Sequence, residues 1–248
     1  MSLSEPRINF LIVGTQKGGT TALANFLAQH PEICFAPQKE IHFFDSPQFQ
    51  DSASPETWNK DYFRAFSNYQ NQPLIGEATP IYMYWPQVAQ RIHRYNPSMK
   101  LIFLLRHPLE RALSHYRMEL KRGNETLSLT RSFLAEPFRL WKHRNNTKEN
   151  SSLRLHSYLY RGFYRKQINR FQQLFPKSQI LILKNEDLLQ KHELTLKKIY
   201  HFLGINDNNF IPNPKIIFTH ENSISLNPWL KKILILLFKK EIDYYQNL

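Results

Sequence analysis

Unbroken apolar runs alternate along the chain with stretches of helical spacing. Ile8 to Val13, Lys100 to Leu105 and Gln179 to Leu183 carry almost no polar residue, the pattern of strands buried on both faces. The first run leads directly into Gly14-Thr15-Gln16-Lys17-Gly18-Gly19-Thr20-Thr21 and then a helical stretch, Ala22 to Gln29, which Pro31 punctuates. After the second, Arg106-His107-Pro108 turns into a helix from about Leu109 to Lys121. The third is preceded by a helix around Tyr164 to Phe175 and followed by one around Glu193 to Leu203, with Gly204 placed to close it. Leu74 to Glu77 is a candidate for a short further strand. Such alternation predicts an α/β fold: a single domain over residues 1–248, in three layers, with a central parallel sheet flanked by helices.

Two segments stand outside this pattern. Residues 142–152 (KHRNNTKENSS) hold no apolar side chain and read either as a mobile excursion or as an ordinary solvated connection. From about residue 228 a helical tail is expected. Its apolar run, Ile233 to Phe238, lies between Lys231, Lys232 and Lys239, Lys240. That suits a packed terminal helix, or an interfacial helix making peripheral membrane contact with its lysines at the headgroups. No stretch approaches the ~20 apolar residues that span a bilayer, and the opening MSLSEPRINF lacks the features of a signal peptide. The expected compartment is cytoplasmic, which makes the N-x-S/T sequons at Asn124, Asn145 and Asn150 chance matches.

Composition narrows the class. The 248 residues are 42% apolar and 14% aromatic, too hydrophobic for a disordered chain. Seven glycines and fifteen prolines exclude a collagen-like polymer, and a single cysteine, Cys34, excludes a disulfide scaffold. Against 20 Asp+Glu stand 33 Lys+Arg, a net charge of +13. That excess calls for an anionic partner, whether nucleic acid, membrane, phosphate or sulfate.

The glycine-bearing loop after the first strand sharpens the choice. A strand, a glycine turn and a helix N-terminus together cradle an anion with backbone N–H groups. Gly18 and Gly19 allow close backbone approach, Lys17 adds a mobile charge, and Thr20 and Thr21 add hydroxyl donors. The loop is P-loop-like, yet its lysine precedes the glycines, so the G-x-x-x-x-G-K-[ST] pattern does not fit, and neither does G-x-G-x-x-G. Glycines serving packing alone are the plainer alternative. Arg106 sits at the carboxyl end of the second strand, on the ligand edge of a parallel sheet, where it can meet a phosphate with two donors while Ser114 adds a hydroxyl. A structural ion pair is the plainer reading of Arg106, and simple solvation that of Arg111. Two anion sites on one sheet suit a nucleotide phosphorylated at both ends of its ribose.

The segments FLIVGTQKGGTTALANFLAQHPEI, KEIHFFD, GEATP, LIFLLRHPLERALSHY and YRGFYRKQINRFQQLFPKSQILILKNEDL together resemble the sulfotransferases that use 3′-phosphoadenosine 5′-phosphosulfate (PAPS), chiefly the heparan-sulfate type and bacterial relatives. The resemblance runs from Asn9 to about Leu203. It implies that Lys17, Gly18, Gly19, Thr20 and Thr21 hold the 5′-phosphosulfate and that Arg106 and Ser114 hold the 3′-phosphate. It further implies that Glu40 is the base toward the acceptor, with His42 and Asp45 completing the motif, and that Tyr160 and Arg161 lie near the nucleotide. In-line sulfuryl transfer fits this set. The acceptor must lose a proton, to a carboxylate or an imidazole, and the leaving phosphate gains charge beside Lys17. No metal is required. From the residues alone, Glu40 can equally pair with Lys39 or Lys17, and His42 can belong to an aromatic cluster with Phe43 and Phe44.

Two departures accompany the resemblance. Relatives of the heparan-sulfate type often carry lysine after the glutamate of an E-K-[ST] segment, where this chain has Glu77-Ala78-Thr79-Pro80. They also close a basic, glycine-containing loop over the nucleotide late in the chain, for which Lys215 and His220 are the candidates here. The expected partners are the nucleotide donor and a hydroxyl- or amino-bearing acceptor such as a glycan, glycolipid or small metabolite. Nucleic acid is not expected, because no recognisable module or basic stripe is present. The rival readings are a P-loop kinase, which lacks its GK[ST] and magnesium aspartate, and a non-catalytic nucleotide- or anionic-glycan-binding protein of the same fold.

Overall fold

A computed structural model of the chain describes residues 6–144, 146–205, 210–214 and 226–248. Its strands are β1 (Phe10–Gly14), β2 (Ile33–Phe35), β3 (Leu74–Ala78), β4 (Lys100–Leu105) and β5 (Ile180–Lys184). The described helices begin with α1 (Thr20–Leu27), α2 (Pro55–Phe63), α3 (Val88–Tyr95), α4 (Pro108–Lys121), α5 (Leu129–Lys142) and α6 (Ser152–Leu155). They continue with α7 (Tyr164–Gln172), α8 (Asn185–Gln190), α9 (His192–Leu203), α10 (Pro228–Leu237) and α11 (Lys239–Gln246). Two compact units result, Met1–Leu105 with Gln167–Phe218, and Arg106–Lys166 with Thr219–Leu248.

The first unit contains the whole sheet, in the order β2-β3-β1-β4-β5, with every pairing parallel. β1 is central, with Phe10 opposite Gly76 of β3 on one side and Lys100 of β4 on the other. The chain fills one side of β1 through β2 and β3, then crosses to β4 and β5. The order therefore reverses between β1 and β4, and ligands bind at the carboxyl ends of strands at such a point. Phe10, Ile12, Ile102, Leu104, Leu181 and Leu183 pack on α1, α8 and α9 in one apolar cluster. On the opposite face Phe171 of α7 meets Phe103 at 5.2 Å. β1 and β4 are covered on both faces and have no wet side to alternate with, which explains their unbroken runs, whereas β5, at the sheet edge, alternates buried and half-buried residues. The fold class is the expected one: α/β, P-loop-like, a parallel sheet flanked by helices.

The second unit is helical. Leu109, Ala112 and Tyr116 of α4, Leu129 and Phe133 of α5, and Leu230 and Leu234 of α10 share one apolar cluster with Tyr158 and Phe238. The helical tail begins at Pro228, where Asn227 caps the first turn by accepting from the Trp229 amide. Of the polar stretch 142–152, Lys142 ends α5, Ser152 opens α6, and the described residues between them form turns and loop, where Arg154 Nε donates to the Thr147 carbonyl at 3.1 Å. Arg111 departs from the expectation of a solvated side chain. It is fully buried, donating to the Tyr158 carbonyl, and its charge faces buried Glu136.

Candidate active site

The loop after β1 is folded tightly against the sheet. The Thr15 amide donates to Leu104 O at 2.9 Å, and the Gly18 amide to Thr15 O at 2.8 Å. A Cβ at Gly18 would lie 2.4 Å from the Leu104 carbonyl, so the close approach admits only glycine. Gly19 caps α1 with φ of 91°, in the left-handed region. Asn185 on α8 fixes this turn, its Nδ2 donating to Gly18 O at 2.9 Å. No acidic side chain occupies the first turn of α1 and no side chain caps it. The amides of Gly19, Thr20 and Thr21 have no acceptor among the described residues. Lys17 stands at the head of this turn with φ of 68°. An anion with several oxygens fits here by charge, dipole and donor supply.

Residues 40–45 hang from the carboxyl end of β3. The Glu40 amide donates to Ala78 O at 3.2 Å, that of His42 to Thr79 Oγ1 at 3.4 Å, and that of Phe43 to Tyr82 Oη at 2.9 Å. Glu40 and His42 both have positive φ, 64° and 56°. Four described non-glycine residues adopt such a conformation, and Lys17, Glu40 and His42 are three of them. Strained backbone of this kind persists where surrounding contacts over-determine it and concentrates at functional sites. Phe43 stacks on Tyr62 with ring centroids 4.4 Å apart, and Phe44 packs edge-on to the same ring. The aromatic cluster is thus present, and it supports the segment without consuming the His42 imidazole.

The charges of the segment are ordered. His42 Nδ1 lies 3.1 Å from both oxygens of buried Asp45, and its Nε2 lies 3.5 Å from Glu40 Oε2. Lys39 Nζ reaches Glu40 Oε1 at 2.7 Å. Partial burial opposes charge on His42, but hydrogen bonds and attraction from Asp45 and Glu40 outweigh it and raise its pKa to about 9. Burial likewise disfavours a charged Glu40. The hydrogen bond from His42 and the Lys39 ammonium prevail, holding its pKa near 2. At neutral pH the pair is carboxylate and imidazolium. Behind it lies Glu77, completely buried, accepting from Tyr62 Oη at 2.8 Å and Thr79 Oγ1 at 2.7 Å. Burial lifts its pKa to about 7 against those hydrogen bonds.

In the second unit, Arg106 is one-third exposed and pairs with Glu110 at 3.3 Å, so the expected ion pair exists. Its carbonyl accepts from Tyr164 Oη at 2.7 Å, which anchors the residue at the head of α4. Ser114 is buried on α4. Tyr160 exposes its ring, while its amide donates to Glu136 Oε1 at 2.8 Å. Arg161 is buried, and its Nη2 donates to the carbonyls of Leu153 and Arg154. Lys215 and His220 lie outside the described residues.

Residues 7–217 match the family described as the sulfotransferase domain. The chain belongs to this family. It is 27% identical to the membrane-associated sulfotransferase kil1 of Dictyostelium discoideum over 97% of its own length and 64% of that protein's. It is 32% identical to human heparan sulfate glucosamine 3-O-sulfotransferase 6, over 79% of the chain and 52% of the relative. The chain thus spans about half to two-thirds of these relatives. Among solved structures, a sulfotransferase from Alicyclobacillus acidocaldarius superposes with a TM-score of 0.79 at 29% identity, covering 98% of this chain and 95% of that one.

The candidate site also includes residues that sequence reasoning did not assign. Asn185 fixes the glycine turn, and Thr79, Tyr82 and Tyr62 support the Glu40 segment, yet none of them signals a role by type or spacing. Ala78, which stands where the resemblance implies a lysine, is fully buried within the apolar cluster. Among the described residues, two cationic groups meet Glu40 here, Lys39 and His42.

Proposed function

We propose that this sulfotransferase moves a sulfuryl group from PAPS to a hydroxyl or amino group of an acceptor such as a glycan, glycolipid or small metabolite. The observation that carries the reading is the opposed charging of Glu40 and His42 in a strained segment, in the unit that also presents the Lys17 turn. The acceptor atom attacks sulfur, and the sulfur–oxygen bond to the 5′-phosphate breaks with its electron pair left on the phosphate. Lys17 and the unpartnered amides of Gly19, Thr20 and Thr21 stabilise that developing charge. Glu40, ionised at neutral pH, takes the acceptor's proton as the new bond makes that proton acidic. His42, held protonated by Asp45 and Glu40, is the less favourable base. It keeps Glu40 oriented and ionised. In this reading, carried over by resemblance, Arg106 and Ser114 would hold the 3′-phosphate and Tyr160 would lie beside the nucleotide.

Calorimetry with 3′-phosphoadenosine 5′-phosphate tests the donor assignment. The wild type binds, and Lys17→Ala and Arg106→Ala each weaken binding roughly ten- to a hundred-fold, the worth of one charge-assisted hydrogen bond. Absence of binding by the wild type defeats the PAPS reading. Undiminished binding by both variants moves the donor site elsewhere.

A further inference from the structure

The second unit carries more exposed apolar surface than its own packing explains. Among the described residues of the first unit, the large exposed hydrophobic side chains are Leu189, Leu194 and Phe210. The second unit exposes two helical stripes. On α5, Leu134, Phe138 and Trp141 follow each other at helical spacing, each more than 60% exposed (64%, 64% and 63%). On α10, Trp229, Ile233 and Leu236 do the same, with Leu237 beside them; Trp229 is 65% exposed and Leu236 73%. These helices already have an inward face, since Leu129 and Phe133 of α5 and Leu230 and Leu234 of α10 fill the unit's core. The outward apolar stripe is therefore a second one.

Charge decides what α10 fits. Its exposed apolar arc is bordered by Lys231 and Lys232, and Lys239 and Lys240 follow at the start of α11, all four exposed. None of the four is ion-paired with a described residue. A protein partner matched to this face would need an apolar groove and acidic rim of its own. A bilayer with anionic lipids offers both halves over any area, with acyl boundary for the apolar arc and headgroup phosphate for the lysines. Trp229, at the first turn, has the amphipathic ring that favours the interface. No described helix is long and apolar enough to cross a membrane, so the contact is with a surface.

We infer that the second unit docks on anionic membrane surfaces, with the outward face of α10 in the headgroup layer and Lys231, Lys232, Lys239 and Lys240 at the phosphates. This inference is independent of the PAPS reading. The test is flotation of the full chain with vesicles of phosphatidylcholine alone and of phosphatidylcholine with phosphatidylserine, at low and high salt. The expected result is selective, salt-sensitive binding to the anionic vesicles. Lys231→Glu with Lys232→Glu should weaken it by more than about ten-fold, since each basic residue near such a surface contributes roughly a five-fold factor. Trp229→Ser with Ile233→Ser and Leu236→Ser should abolish it while leaving the thermal midpoint in place, because these side chains are exposed. Light scattering is run on the same samples. No binding to anionic vesicles, or binding indifferent to both variants, overturns the inference. So does a stable wild-type dimer that the serine variant dissociates, which would assign the face to a second copy of the chain.

Discussion

The imidazole of His42 faces both carboxylate oxygens of Asp45 at 3.1 Å, and Asp45 has no exposed side-chain surface. A buried carboxylate in this position fixes the ring and keeps it protonated, so His42 presents a cation to Glu40. Asp45→Asn preserves shape and removes the charge. The His42 pKa should then fall from about 9 toward its ordinary 6.5. The alkaline limb of kcat/KM should move down with it, and the imidazole titration followed by NMR should show the same displacement. An unmoved limb would detach His42 from the reaction.

Glu40→Gln keeps the contour of the segment and removes the proton acceptor. Turnover should drop ~10²- to 10⁴-fold, the usual contribution of a positioned base. Affinity for 3′-phosphoadenosine 5′-phosphate should stay near that of the wild type, because the nucleotide is assigned to other residues. Single-turnover transfer and calorimetry on one preparation separate these effects. Near-normal transfer would remove Glu40 from the base role.

Lys39 offers a subtler handle on the same carboxylate. Its ammonium lies 2.7 Å from Glu40 and helps hold the pKa near 2. In Lys39→Ala the Glu40 pKa should rise, shifting the acid limb of the pH profile upward. A depressed carboxylate lends stability that is present above its unfolded pKa of 4.5 and lost as pH falls toward 2. Lys39→Ala should therefore also unfold at a higher pH on acid titration, as followed by circular dichroism.

What the sequence made legible, and what it hid, follows from the range of the forces involved. β4 occupies the predicted Lys100–Leu105, because continuous burial on both faces writes itself into a continuous apolar run. The three residues of β2 are too few to show any period, and their pairing with β3 comes from tertiary placement. Helix α2 shows few apolar positions among polar ones, and α3 places Val88, Ala89, Ile92 and Tyr95 at helical spacing over eight residues only, too short a window to stand out in the sequence. Candidate residues Glu40 and His42 were readable as types. Their left-handed backbone was not, because no glycine marks it. Distant acceptors, Ala78 O and Thr79 Oγ1, hold it in place.

The glycine turn admits a test of its own. Gly19→Ala places a Cβ 2.3 Å from Asn185 Nδ2 and forces alanine to φ of 91°. Leaving the αR or β region should destabilise the fold by about 1–2 kcal/mol, and displacing Asn185 should loosen the turn. Asn185→Ala loosens it without the backbone penalty. Both should weaken 3′-phosphoadenosine 5′-phosphate binding, and only Gly19→Ala should lower the thermal midpoint by the larger amount. Equal destabilisation with unchanged binding would mean the turn is only structural.

Glu77 should be visible in the pH dependence of stability. Its carboxyl is wholly buried and ionises near 7 in the folded protein, against 4.5 for an unperturbed glutamate. Between those values the folded chain keeps a proton that the unfolded chain releases. The folded state binds more protons, so stability falls as pH rises through that window, by on the order of 3 kcal/mol if the whole shift is realised. Glu136, raised to about 7 by burial, adds a slope of the same sign, so the wild-type curve alone does not isolate Glu77. The difference between wild type and Glu77→Gln does, because a neutral amide has no proton to release. Denaturant midpoints across this range should show the variant losing less stability than the wild type as pH increases. Parallel curves would mean that Glu77 ionises at its ordinary value in the fold, and that burial and the hydrogen bonds from Tyr62 and Thr79 balance instead of leaving burial in excess.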